Sequence, residues 1–475
     1  MFLTLHGDQD MANKWVLEEL GGIELGDKRL NKRVLELLEK AAKQPQASFN
    51  TMFHTRKEVQ ACYRFFSNDL VDEHKIFQPH LQESYKRSAQ HPIVLSLSDT
   101  TSLNYTTRKT LKDSGYISSN NAQGFFLHAN IAVTPDRLHL GVISQKIWAR
   151  EKEKPGRSLR EYKPLIEKES YRWIEAFRDS CKLAAFCKET RVIHVTDREG
   201  DIFELFTEYE SIKSKGIAAD YIVRSNHNRT VYPEEKTFNG LIEELEGSKK
   251  LGEIGFDIIN REDGTIRRVR QSVQAISSVT IKSRYGADTP NVKVSINAVY
   301  LKEIDPPEGE KGITWCLLTS LPVSKFEEIK SIVEYYLCRW EIEVFFKTYK
   351  SGCKVEEKSL RSAERLYPLF SLFLIIAWRI NFLLHMGRIN PNISCEIYFE
   401  RSEWKAGYIA ATRNKEPPVV APTMNEMMGY IGKLGGHLGR KNDPFPGVKA
   451  IWIGICKLTH YADAWDLFGP EAKAN

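Results

Sequence analysis

Two apolar runs that each end on an acid constrain the fold of this chain more than any other feature. Ile93-Val-Leu-Ser-Leu-Ser-Asp99 is a partly alternating strand pattern followed by Thr100-Thr101-Ser102, and Arg191-Val-Ile-His-Val-Thr-Asp197 is a second. A helical pattern from about Tyr162 to Lys188 lies between them, so the strands are expected to be parallel and joined by a helical crossover. Phe125 to Val133 and Leu138 to Ile147, linked by the turn signal Thr134-Pro135-Asp136, add two strands in meander order. The expected fold class is α/β, built on a mixed sheet.

A second feature is the segment Tyr336-Leu-Cys-Arg339-Trp340-Glu-Ile-Glu343-Val-Phe-Phe-Lys347-Thr-Tyr-Lys350. Read as one helix, it gathers Tyr336, Arg339, Glu343, Lys347 and Lys350 on one side and puts Glu334 and Glu341 on the other. A carboxylate among three cations, a phenol and Trp340 suits a site handling a metal and a phosphate backbone. The same spacing also describes a solvated face of i,i+4 ion pairs.

The 475 residues, 42% of them hydrophobic, are enough for roughly two to four folded units. A net charge of +6 is only mildly basic and hints at an anionic partner without naming one. The eight cysteines, at 62, 181, 187, 316, 338, 353, 395 and 456, form no CxxC pair and no disulfide-like framework, which suits reduced thiols in a cytoplasm and argues against zinc. The N-terminus has neither the basic nor the apolar part of a secretory signal, and Met11 is an alternative start to Met1. Leu366 to Trp378, an apolar run containing Pro368 and ending at Arg379, is short for a bilayer span and reads as a buried helix, so no membrane partner is expected.

Residues 12 to about 75 look helical. Gly26-Asp27 is a start signal for a segment bearing Lys28, Arg29, Lys32, Arg33, Lys40 and Lys43, and after the polar loop 44–51 a second helix begins near Arg56 and ends in Tyr63-Arg64-Phe65-Phe66. Basic residues on short helices fit duplex binding, and equally a solvated surface. Residues 224–323 alternate as strands do, with turn signals at Glu262-Asp-Gly264 and Asp305-Pro-Pro-Glu-Gly309. Arg267, Arg268 and Arg270 within them face either DNA or solvent. Beyond Leu366 the chain is again mostly helical, closing near Trp452.

An acid after one strand, another after a second strand and a third on a later helix can converge at one sheet edge. Three such carboxylates hold hard divalent cations and leave places for water and phosphate. Two ions then serve in-line displacement at phosphorus. Taken singly, each acid is as well explained as a cap or loop residue, and Asp197 has Arg198 beside it as a partner. Glu199 and Asp201 are alternative ligands in a shifted register.

Together Ser96-Leu-Ser-Asp99-Thr-Thr-Ser-Leu, Thr196-Asp197-Arg-Glu-Gly-Asp201 and Tyr336-x2-Arg339-Trp-x-Ile-Glu343-x-Phe-x-Lys347-x2-Lys350 resemble the DDE transposases of insertion-sequence family four, with their Tyr-Arg-Glu-Lys signature, a family that includes the transposase of transposon Tn-five. The resemblance runs from about Gly26 to Gly447. It implies an RNase H-like core in which Asp99, Asp197 and Glu343 are the catalytic residues and hold two magnesium ions, with manganese as a substitute. It implies phosphate contacts from Tyr336, Arg339 and Lys350, with Lys347 on the same stripe, and a flipped base stacked on Trp315, whose alternative role is a core tryptophan. Arg224, His227 and Arg229 resemble a DNA-contacting loop, with Asn226 where the best-known relative has lysine. Arg29, Arg33, Lys43 and Arg64 align with positions that recognise terminal inverted repeats.

The domain organisation expected on this basis is an end-recognition domain at 1–75, a catalytic core at 76–223 and 324–375, a β-rich insertion at 224–323, and a helical dimerisation domain at 376–475. The resemblance further implies double-stranded DNA partners (transposon ends and target), a homodimer in the synaptic complex, and a bacterial cytoplasmic location on the nucleoid. The expected function is cut-and-paste transposition through nicking, hairpin formation and strand transfer. The alternatives are a non-transposing RNase H-like endonuclease and a catalytically silent DNA-binding regulator.

Overall fold

Local chemistry sets the first helix boundaries. A computed structural model describes residues 14–111, 113–118, 121–150, 164–231, 239–259, 266–282, 292–440 and 443–470. Asp27 caps the helix Lys28–Lys43 by accepting the Arg29 amide at 2.8 Å, after Gly26 turns through a positive φ of 85°. Thr55 and Glu58 form a reciprocal capping box at the start of the helix Arg56–Phe65. Both starts agree with the sequence, while the intervening loop holds a short helix, Phe49–Met52.

The described residues form two compact units, one from 1–87, 100–152 and 341–475, the other from 88–99 and 153–340. Strand β1 (Ile93–Asn104) supplies residues to both. In the first unit its Thr100–Asn104 end lies beside β3 (Gln123–Val133), which also pairs with the short β2 (Gly115–Tyr116) and with β4 (His139–Trp148). The expected meander is therefore present. Gly124 permits the close approach of β3 to β1, because a Cβ there would lie 1.8 Å from the Leu103 carbonyl oxygen.

The apolar run near Leu366 becomes the helix Ala363–Ile389, longer than the sequence suggested because it continues through Arg379. That guanidinium is buried, lies over the rings of Trp15 and Tyr398 and donates to the Tyr398 carbonyl, and burial lowers its pKa to about 10. The helix has the length and composition of a membrane span, yet its apolar window is wholly buried within the protein. Helices Arg401–Thr412, Met424–Leu434 and Val448–Phe468 pack against one another, and the last two also pack against the long helix.

In the second unit, β1 and β5 (Arg191–Thr196) are parallel in a register running from Ile93↔Arg191 to Leu97↔Val195. The crossover helix is Tyr171–Phe186, and residues 162 and 163 of its expected start lie outside the described residues. Strand β6 (Asp220–Arg224) continues the parallel set beside β5. The β-rich segment supplies β7 (Thr230–Val231), β8 (Asn239–Gly240), β9 (Gly252–Ile259), β10 (Ile266–Lys282), β11 (Lys293–Glu303) and β12 (Thr314–Thr319). It does not form a separate sheet, since β12 pairs antiparallel with β6 and the order runs β1-β5-β6-β12-β11-β10-β7-β8, with β9 also on β10. The turn at Asp305–Gly309 is present, with positive φ at both ends, and Glu262-Asp-Gly264 falls outside the described residues. The result is a mixed α/β architecture with helices at both chain ends, as expected of an RNase H-like core with helical flanks.

Candidate active site

The parallel register places the first two acids. Leu97 and Val195 are the last paired residues, and two steps further along each strand stand Asp99 and Asp197. Side chains two residues apart share a face, and parallel neighbours are about 4.8 Å apart, so both carboxylates emerge on one side just past the paired stretch, Asp99 within β1, which runs on to Asn104, and Asp197 directly after β5. Both are partly buried. Asp197 also caps the turn Arg198–Gly200, accepting the Glu199 amide at 2.8 Å, so the cap reading of this acid holds alongside any other.

Cations and aromatic groups of the same unit flank this pair. Arg339 Nη1 lies 3.3 Å from Asp99 Oδ2, with both side chains largely buried. Tyr336 is buried, and desolvation holds its phenol above the usual range, protonated at neutral pH. Arg224 donates to it and so opposes that shift. Trp315 meets Tyr336 edge-on at 5.2 Å and stacks on Phe256 at 5.1 Å and 14°. One face of Trp315 is therefore already covered by protein.

The neighbouring acids are committed elsewhere. Glu199 pairs with Arg172 at 2.7 Å. Asp201, fully buried, accepts from the Asn226 amide at 2.7 Å, the His227 amide at 3.3 Å, the Ser225 hydroxyl at 3.1 Å and the Arg229 guanidinium. Asp201 thus holds the loop that follows β6, and Arg229 is a staple within that loop, while the His227 side chain is exposed.

The segment expected to be one helix is three pieces. Helix Phe326–Leu337 ends in a tight turn at Cys338 and Arg339, where the Arg339 amide bonds back to the Tyr336 carbonyl at 3.0 Å, and a new helix runs Trp340–Lys347. Thr348–Gly352 then winds as a π-helix, a form often found at functional sites. The wider turn takes Lys350 off the 3.6-residue stripe. In the first unit its ammonium donates to the Ser102 carbonyl of β1 at 2.8 Å and pairs with Glu356 at 3.6 Å. Glu343 is partly buried on the middle piece and Lys347 is exposed.

The N-terminal cations differ in availability. Arg29 is 91% exposed and reaches back to Asp27, and Arg33 pairs with Glu36 at 2.8 Å. Lys43 lies between Glu39 at 3.2 Å and Glu400 at 3.4 Å; burial alone would lower its pKa, but these carboxylates raise it. Arg64 is exposed and forms no ion pair among the described residues. In the insertion, Arg267 pairs with Glu303, Arg268 with Asp257, and Arg270 with Glu253 and Asp305.

One group escaped the sequence reading. Glu341, placed opposite the stripe, is buried between His139 and His385. Helical spacing put it on the side away from the stripe, and its partners lie far away along the chain, so no local pattern marks them.

With this geometry in place, comparison with known families is informative at both ends of the chain. Residues 12–71 match the family model described as Transposase DNA-binding, and residues 375–466 match that described as Transposase Tn5 dimerisation domain. The two matches support a Tn5-like, DNA-binding transposase.

Proposed function

We propose that this chain is a cut-and-paste DNA transposase of the DDE type and of insertion-sequence family four. The observation that carries the reading is that Asp99 and Asp197 each stand two residues past the last paired position of the parallel strands β1 and β5, in a chain whose ends match transposase DNA-binding and dimerisation models. Carboxylate oxygens are the donors hard divalent cations prefer, so Asp99, Asp197 and Glu343 suit two magnesium ions, or manganese in their place. Bound there, the ions supply Lewis acidity at phosphorus and a more acidic water.

The chain's own residues bind and orient the DNA. Arg339 exchanges Asp99 for a phosphate oxygen, while Tyr336, Lys347 and Lys350 bind further backbone phosphates and offset charge developing on phosphorus. Water displaces the 3′ oxygen at the transposon end. The freed 3′ hydroxyl then attacks the opposite strand to give a hairpin, a second water reopens it, and the same hydroxyl joins target DNA. In each step one P–O bond forms as another breaks, so no protein nucleophile is required. The proposed partners are terminal inverted repeats, target DNA and a second copy of the chain, on the nucleoid of a bacterial cytoplasm.

The test is incubation with magnesium and duplexes ending in the inverted repeats that flank the coding region. Hairpins and strand-transfer products support the proposal. Nicked linear products without hairpins indicate an endonuclease, and binding without cleavage indicates a regulator.

A further inference from the structure

We propose that His139, Glu341 and His385 form a site for a four-coordinate, zinc-type divalent cation, with water as the fourth ligand. All three belong to the first unit: His139 opens β4, Glu341 sits in the first turn of helix Trp340–Lys347, and His385 lies in the last turns of helix Ala363–Ile389. Their side chains are 1%, 8% and 3% exposed.

The spacing of the donor atoms is the main argument. His139 Nε2 and His385 Nε2 each lie 3.3 Å from the same oxygen, Glu341 Oε2, and the three donors fall within 4.8 Å of one another. Each contact taken alone is within hydrogen-bond reach, but the two imidazole nitrogens share one oxygen. A tetrahedral ion with bonds of about 2.0–2.1 Å separates its donors by roughly 3.3–3.4 Å, and the two separations from Glu341 Oε2 to the imidazole nitrogens match it. The imidazole centroids are 5.0 Å apart, and both Nε2 atoms approach the one oxygen Glu341 Oε2. Glu341 Oε1 is turned instead toward the half-exposed Arg137, 3.8 Å away, leaving Oε2 for the shared position. Two imidazoles and one carboxylate make a donor set suited to zinc, unlike the all-oxygen set of Asp99, Asp197 and Glu343.

Such an ion ties the first turn of the Glu343 helix to β4 and to the long helix. Only this positional consequence rests on the catalytic role of Glu343; the binding itself does not.

The test uses the full chain, stripped with chelator and titrated with zinc by calorimetry and with cobalt by visible absorption. The expected result is one equivalent bound in the wild type and in Asp99→Ala, with the strong absorption of tetrahedral cobalt. His385→Ala and Glu341→Gln should each weaken binding by roughly 100-fold or more, beyond what an outer-shell partner typically supplies. Absence of stoichiometric zinc and of tetrahedral cobalt in the wild type would overturn the proposal whatever the variants do. So would zinc binding that survives both substitutions or disappears in Asp99→Ala. A failed titration leaves the transposase reading standing, and inactive DNA assays leave the zinc site standing.

Discussion

Asp201→Ala is the perturbation whose consequences the structure specifies most fully. The substitution deprives the Arg229 guanidinium, the Ser225 hydroxyl and the amides of Asn226 and His227 of their shared acceptor. Breaking a buried ion pair by removing one partner costs about 3–5 kcal/mol, because the remaining charge stays desolvated. Arg229 is 11% exposed and keeps a 3.1 Å bond to the Asp201 backbone carbonyl, which places the expected loss near 3 kcal/mol by that rule. Asp201→Asn keeps the shape but loses the charge, at about 1.5–3 kcal/mol. Amide hydrogen exchange reads the effect locally. At about 1.4 kcal/mol per factor of ten, the Asn226 and His227 amides should exchange roughly 100-fold faster in Asp201→Ala. DNA affinity should fall with the loosened loop while the magnesium concentration needed for cleavage stays the same. Unchanged exchange at both amides would refute the loop-anchoring argument, and a raised magnesium requirement would return Asp201 to the metal ligands.

Asp99→Ala should abolish nicking while leaving end binding within a few-fold of wild type, as measured by gel shift and cleavage on the same duplex; retained cleavage would remove Asp99 from the site. Arg64→Ala should lower the log-log salt slope of end binding by about one unit, whereas Lys43→Ala should mainly reduce thermal stability through the lost contacts to Glu39 and Glu400. The reverse pattern would reassign both residues. His194 is buried with Nδ1 against Ser180, and desolvation depresses its pKa to about 3. Its folded pKa lies below the unfolded value, so its stabilising contribution is complete above about pH 6.5 and is lost as pH falls toward 3, by at most about 5 kcal/mol. His194→Leu should flatten the acid limb of the unfolding curve, and an unaltered limb would contradict the assignment.

Several site features were legible because they depend on neighbours in sequence. The run Ile93 to Asp99, the run Arg191 to Asp197 and the helical pattern between them sufficed to anticipate a parallel pair joined by a crossover helix, while the register that sets the two acids in step came from the structure. The caps at Asp27 and Thr55 are likewise local hydrogen bonds. The break at Cys338 and Arg339 was not legible, since nothing in that stretch is a helix breaker, and Arg339 there meets Asp99, 240 residues away in sequence. The availability of the basic residues was illegible for a similar reason. Lys43 resembles Arg64 in sequence, but only Lys43 has Glu400 beside it.

By itself, the sequence determined the strand pattern of the two acid-bearing runs, the starts of the capped N-terminal helices, and the charge carried by the terminal helices, because backbone sterics and capping act over a few residues. Tertiary structure decided which charged groups are already neutralised by protein. It turned Asp201 into a loop anchor and Arg229 into its staple, drew Lys350 onto β1 through a π-helix, and buried Glu341 between two histidines. Coulombic and hydrogen-bond energies depend on separation in space and on desolvation, and neither is written in the spacing of residues along the chain.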